Sequence, residues 1–276
     1  MKITEKIHCL KIEFNVGEKI SRFVNIYLLF GKKIYIIDSG IKGCIEYIND
    51  YIEKNGRKIT EIDSIFLTHS HPDHIGSLSD IKKVSNAKIY CSKQEKEWVE
   101  NIDKQFEERE IPDFYKIVSE SSKVDFIIEE EREIKLEDNL TIKFIFTPGH
   151  SNGSYSYYLI EEKALFSGDL IPVERDENMP VYSDYNQLIN SIKKVEKSLE
   201  IKYLCSAWDD VRDGDEAINI IKRALNYLER IDISVRKNYN PEDGILVLAQ
   251  KVFKECRIEN PILVPVTLKS ILSHIK

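Results

Sequence analysis

The chain has 276 residues, 42% of them hydrophobic and 10% aromatic, which is enough apolar material for one large core and excludes a mainly disordered chain. The length also excludes a minimal module and more than about two domains. Its 47 acidic and 40 basic side chains leave a net charge of −7, the opposite sign to a protein that coats a nucleic-acid duplex, so no nucleic-acid partner is expected.

In chain order, the opening MKITEKIHCLKIEF has no apolar run of signal-peptide length and reads as part of the mature fold. The first 38 residues carry three strand patterns, IHCLKIEF, FVNIYLLF and KKIYIID, the last two joined by a turn at Gly31 and Lys32, so an antiparallel meander is predicted. Ile45, Ile48 and Ile52 then recur at helical spacing ahead of Gly56, and the strand DSIFLT runs directly into HSHPDH. A helix starting near Pro72, a strand AKIYCS and a single charged helix KQEKEWVENIDKQFEE ended by Pro112 follow. VDFII, LTIKFIFT, SYSYYLI and ALFSGD are strand candidates, with a turn at Glu161, Glu162 and Lys163 making the last two a hairpin. Leu188, Ile192, Val195 and Leu199 mark a helix that feeds the strand IKYLCS, and residues 213–276 read as almost wholly helical, punctuated by Pro241 and Pro261.

No segment approaches the roughly 18 consecutive apolar residues of a membrane span. The five cysteines, Cys9, Cys44, Cys91, Cys205 and Cys256, are odd in number and have no close pair, which suits buried thiols in a reducing compartment. A cytoplasmic protein without membrane contact is the expectation.

Three of the six histidines fall within His69, Ser70, His71, Pro72, Asp73 and His74. Histidines two apart at a strand exit can turn both imidazoles toward one point, and Asp73 and His74 add a carboxylate and a third imidazole from the next half turn. Pro72 suits the first helical turn, which would aim backbone N–H groups at the same place. Three weaker signals share the placement at strand ends: Asp38 before Ser39 and Gly40, His150 after Pro148 and Gly149, and Asp169 after Gly168. Each alone is ordinary turn chemistry; together, beside a dense ligand cluster, they form a constellation. There is no GxSxG, Walker loop or GxGxxG to argue for different chemistry.

With Asp38, the HxHxDH block at 69–74, His150 and Asp169 in this order, the sequence resembles the metallo-β-lactamase fold hydrolases over roughly residues 7–210. The resemblance implies an α/β (α+β) fold, a four-layer αβ/βα sandwich, occupying residues 1–210, with residues 211–276 as a C-terminal helical extension. It implies two divalent metal ions, zinc first and manganese or iron as alternatives. His69, His71 and His150 would hold the first ion and Asp73 and His74 the second, with Asp169 bridging them. Asp38 would stand behind a ligand as an orienting acceptor. The implied activity is hydrolysis of a small-molecule ester, thioester, lactone or phosphoester by a metal-bound hydroxide, with Asp73 also carrying the proton to the leaving group. A mononuclear iron oxygenase of the persulfide dioxygenase kind, or a metal-binding protein that has lost catalysis, are the alternatives. A flavodiiron oxidoreductase is disfavoured by Ser70, which stands where that branch has a Glu.

One departure from the family pattern stands out. The family ends with another histidine after the last core strand, and here Trp208 holds the aligned position with Asp209 beside it. Asp209 is a candidate replacement ligand, Trp208 a candidate pocket wall, and two metals remain the expectation with the second held more weakly. His8 is read as structural, and His274 lies too far along the chain to substitute. Phe114, Tyr115, Tyr182 and Tyr185 are candidates to line a pocket, most of them expected to be packing residues, and the C-terminal helices are the candidate surface for a homodimer.

Overall fold

The computed structural model describes residues 1–16, 20–173, 179–258 and 265–275. Pro261 and residues 174–178 therefore lie outside the described residues. Two six-stranded sheets, flanked by helices, carry the architecture. In the first sheet β1 (Ile7–Val16), β2 (Ile20–Phe30) and β3 (Ile34–Ile37) form the antiparallel meander. β4 (Ile62–Phe66), β5 (Lys88–Ser92) and β6 (Phe126–Ile128) continue it in parallel. The second sheet has the order β12-β11-β10-β9-β8-β7, built from β7 (Glu133–Glu137), β8 (Leu140–Phe146), β9 (Tyr155–Leu159), β10 (Ala164–Gly168), β11 (Tyr203–Ser206) and β12 (Arg212–Asp213).

The chain separates into two compact units, Met1–Ile145 with Tyr157–Glu161, and Phe146–Ser156 with Glu162–Lys276. In the first, parallel strands need crossovers, and helices supply them. α1 (Cys44–Lys54) buries Cys44, Ile48 and Ile52 at intervals of four and stops at Asn55, with Gly56 in the left-handed region. α2 (Pro72–Ile75) and α3 (Leu78–Ser85) divide the predicted helix near Pro72 into two. Likewise the single helix expected over KQEKEWVENIDKQFEE is two, α4 (Lys96–Glu100) and α5 (Ile102–Glu108), because Asn101 leaves helical geometry and caps α5 by accepting the Lys104 N–H. A short α6 (Phe114–Ile117) follows.

The core of this unit is aromatic. Phe66 of β4 packs on Tyr90, Phe144 and Tyr157 with ring centroids 4.8, 5.6 and 5.6 Å away, and Tyr90 stacks on Phe126 at 4.7 Å. Such pairs add about 0.5–1.5 kcal/mol each beyond their apolar burial. Tyr157 also donates its phenol proton to the Leu67 carbonyl at 2.6 Å, so β9 grips the chain where it leaves β4. The strand β7, which the sequence reading omitted, pairs antiparallel with β8; its E-I-K-L-E alternation carries too few apolar residues to stand out as a strand.

In the second unit α7 (Tyr185–Ser198) buries Leu188, Ile192 and Val195 and crosses from β10 to its parallel neighbour β11. β12 adds an antiparallel edge. The helical C-terminal part comprises α8 (Gly214–Asn238), α9 (Ile245–Cys256) and α10 (Pro265–Leu272). Along α8 the buried positions Ala217, Ile220, Ile221, Ala224, Leu228, Ile231 and Val235 trace one stripe at spacings of three and four. Among the described residues no helix is long and apolar enough to cross a membrane, and no disulfide forms.

Candidate metal centre

Within the first unit lie Asp38, His69, His71, Asp73 and His74. β3 ends at Ile37, and Asp38 takes the left-handed backbone, φ 59°, which turns its buried carboxylate toward the exit of β4. Asp38 Oδ1 accepts the Thr68 N–H at 2.7 Å, and Oδ2 accepts the Thr68 hydroxyl at 2.8 Å. His74 Nδ1 lies 2.8 Å from the same Oδ2. An ionised carboxylate can only accept, so His74 carries its proton on Nδ1 and presents Nε2 as a lone pair. Thr68, having donated to Asp38, accepts at Oγ1 from His69 Nδ1 at 3.0 Å, which sets His69 the same way. His69 Nε2 is 2.9 Å from His71 Nδ1, and the His69 ring lies 4.0 Å from that of His74. Two such imidazole nitrogens so close suit a shared cation. Asp73 Oδ2 is buried, without a hydrogen-bond donor among the described residues, 3.4 Å from His74 Nε2. Nitrogen and carboxylate donors of this kind are the ligand chemistry of zinc and its neighbours.

The loop is braced from behind by residues the sequence reading missed. Ser70 donates both its N–H, at 3.1 Å, and its hydroxyl to Glu95 Oε2, while Gln105 donates to the Ser70 carbonyl at 2.6 Å. Glu95 is only 4% exposed although it stands in one of the most charged stretches of the chain, where a carboxylate reads as solvated. On the far side, Ser39 donates its N–H and its hydroxyl to the His74 carbonyl at 2.7 and 2.9 Å.

Within the second unit lie His150 and Asp169. His150 follows the Thr147-Pro148-Gly149 turn, where Gly149 has φ 132° and lies so close to α7 that a Cβ would come within 2.2 Å of the Leu188 nitrogen. Only glycine fits there. His150 Nδ1 donates to the Val181 carbonyl at 2.8 Å, so this imidazole too presents Nε2, which is 3.2 Å from Asp169 Oδ2. Asp169 leaves β10 after Gly168, whose φ of 52° turns the chain at that point.

Asp209 is 1% exposed, and both its oxygens accept from Arg212, Oδ2 from Nε and Oδ1 from Nη2, each at 2.9 Å. This fork commits the carboxylate to an ion pair that the sequence reading did not anticipate, and it weakens the case for Asp209 as a replacement ligand. Trp208 follows β11 and is half-buried. His8 is structural, stacked on Phe30 at 4.3 Å with Nδ1 3.0 Å from the Tyr51 hydroxyl. Burial pushes its pKa below the ordinary histidine value. Among the aromatic pocket candidates, Phe114 and Tyr182 are buried, Tyr185 stacks on His274 at 4.2 Å, and the exposed Tyr115 donates to Asp103. For Phe114, Tyr115 and Tyr185 these are packing roles.

Comparison with known proteins supplies the context for this donor set. The sequence pattern described as the Metallo-beta-lactamase superfamily matches residues 21–207. The chain is 30% identical over 145 residues to the protein named "Probable metallo-hydrolase YqgX" of Bacillus subtilis (strain 168), covering 52% of this chain and 64% of that one. It is 29% identical over 172 residues to a hydroxyacylglutathione hydrolase of Bartonella henselae, covering 60% of this chain and 57% of the relative. The match thus spans less than two thirds of either relative's length. A metallo-beta-lactamase family protein from Thermus thermophilus superposes with a TM-score of 0.75 over 99% of this chain and 93% of its own, at 15% identity, which shows a shared fold.

Proposed function

The chain belongs to the metallo-beta-lactamase superfamily, and from that premise we propose that it is a metal-dependent hydrolase of a small-molecule acyl compound. An acyl thioester is the first candidate, supported by the relative named as a hydroxyacylglutathione hydrolase. The observation that carries the reading is the set of acceptors behind the histidines: Asp38 behind His74, Thr68 behind His69 and the Val181 carbonyl behind His150, each holding a proton on Nδ1 and turning Nε2 toward a ligand role. Chance surface histidines would be neither buried nor backed each by a placed acceptor.

In this reading His69, His71 and His150 would hold one divalent ion, Asp73 and His74 would hold a second, and Asp169 would be a ligand available to either. Zinc is the first choice because imidazole and carboxylate donors suit it, with manganese or iron as rivals. When bound, such ions polarise the scissile carbonyl and acidify water, so no serine or cysteine nucleophile is needed. Asp38 and the Val181 carbonyl keep the imidazoles in register. Asp73, with 15% of its side chain exposed beside the fully buried His74, takes up a proton from the attacking water and delivers it to the leaving group. Trp208, standing where the family resemblance implies a histidine, would make the second ion the weaker of the two.

The test is a metal analysis of protein purified without added metal, followed by a panel of thioester, ester, lactone and phosphodiester substrates. Zinc or manganese with acyl hydrolysis supports the proposal. A single iron with oxygen uptake, or tight ligand binding without turnover, contradicts it.

A further inference from the structure

Within the second unit a short strap, Val181 to Asp184, lies against the His150 turn. Val181 accepts the His150 Nδ1 proton. Ser183 donates its N–H to the Gly149 carbonyl at 2.8 Å, and Asp184 does so at 3.1 Å. The strap has no regular secondary structure and owes its position to what holds it from its other side. That holder is the C-terminal helix α10 and the residues just beyond it. Ser270, fully buried, accepts the Tyr182 N–H at Oγ at 2.9 Å and lies 3.0 Å from the Tyr182 carbonyl. Ser273 accepts the Tyr185 N–H at 3.2 Å. Tyr182 puts its phenol 2.7 Å from His274 Nε2, and His274 Nδ1 is 2.9 Å from Asp232 Oδ1 on α8.

The proton positions follow from the chemistry of the groups. Asp232 accepts, so His274 carries its proton on Nδ1 and accepts at Nε2 from the Tyr182 hydroxyl. Burial favours this neutral chain at both links, pushing His274 below its ordinary value and Tyr182 well above its own. Every polar group in the line Asp232, His274, Tyr182 thus has a defined donor or acceptor role, which makes the line stiff.

We infer that Tyr182, clamped by Ser270 and His274, is a positioning residue for His150: it holds the Val181 carbonyl where that carbonyl accepts the Nδ1 proton and aims Nε2. The C-terminal helix is then part of the metal centre's support and not merely an appendage. This rests on His150 being a metal ligand, as proposed above. The effect reaches the metal through one intervening residue, so it should fall at the low end of the 10- to 100-fold loss typical when a partner behind a ligand is removed.

The experiment compares Tyr182→Phe and Ser270→Ala with the parent chain and with Ser234→Ala. The last removes the Ser234 hydrogen bond to Glu255 between α8 and α9 in the same unit without touching the strap. Two quantities are read: the zinc Kd by chelator competition, and the His150 Nδ1 proton signal by NMR of metal-free protein. The brace predicts that Tyr182→Phe raises the Kd about tenfold and shifts or broadens the His150 N–H signal, that Ser270→Ala acts in the same direction, and that Ser234→Ala does neither. If Tyr182→Phe does not fold, Ser270→Ala alone decides. An unchanged His150 signal in a folded variant overturns the inference, as does an equal rise in Kd for Ser234→Ala. Failure of the parent chain to bind zinc contradicts the hydrolase reading instead, while the metal-free signal still judges the brace.

Discussion

The two halves of the candidate ligand set, taken each within its own unit, are held in different ways. In the first unit the candidate ligands sit within six consecutive residues and the braces around them are side chains: Asp38, Thr68, Glu95 and Gln105. In the second unit the two candidate ligands are 19 positions apart, and the partner of His150 is a backbone carbonyl, Val181. Both sets of braces come from other stretches of the chain, but a side-chain acceptor such as Asp38 can be deleted by one substitution, whereas a backbone carbonyl cannot. A ligand oriented by a carbonyl inherits the precision of everything that holds that carbonyl. The first half should therefore fail abruptly when one bracing side chain is removed, whereas the second half should degrade by degrees.

The largest effect expected is from His71→Ala, which removes one of two nitrogens 2.9 Å apart in the buried pair. Metal binding and hydrolysis should both be lost, read by metal analysis and by turnover, and retention of both would sink the assignment of this loop. Next comes Asp38→Ala, which leaves the Thr68 N–H, the Thr68 hydroxyl and the His74 N–H without their acceptor in a buried position. We expect a loss of roughly 3 kcal/mol or more in denaturant unfolding, because each buried orphan costs about 1–3 kcal/mol. A loss under about 1 kcal/mol would show that the clamp is not what organises the loop. In the second half, Gly149→Ala must displace the start of α7 and adopt a positive φ, at a cost on the order of 3 kcal/mol. Because the same turn carries His150, metal affinity should fall together with stability, and a stable variant with parental affinity would contradict the placement of this turn.

Smaller is Trp208→His, which places a histidine where the family resemblance implies one and should raise affinity for the second metal. An unchanged stoichiometry and affinity in a metal titration would count against the alignment of that position. The smallest effect is with pH. His8 and His274 are both held below the ordinary value of 6.5 by burial, so the unfolded chain binds protons that the folded chain refuses. By linkage, stability is indifferent to these two groups above that value and declines as pH falls through it. The decline should be weaker in Tyr182→Phe, which loosens the surroundings of His274, and an identical pH profile in the two proteins would remove His274 from the account.

What the sequence disclosed follows the same division. The HxHxDH block stood out because its candidate ligands are contiguous, and the meander, α1, α7 and the long stripe of α8 were legible because their apolar periodicity is strong. Asp38, His150 and Asp169 were visible only as a constellation. Glu95 was hidden in a run of charge, since burial alone distinguishes a bracing carboxylate from a solvated one. The break at Asn101 was hidden because a capping residue inside a helical pattern looks like any other polar position. Val181 could not have been found at all: its contribution is a carbonyl, which every residue has. The ion pair of Asp209 with Arg212 was written plainly enough, three positions apart, but had no reason to be preferred over metal ligation until the fork geometry was seen.

The central claim is that this chain uses a bound divalent metal to hydrolyse a small acyl compound. The most direct measurement is thioester and ester turnover by the purified protein before and after chelation, with zinc then restored. The account predicts hydrolysis that chelator abolishes and zinc returns; turnover indifferent to chelator, or zinc bound at full occupancy with no hydrolysis of any acyl substrate, would contradict it.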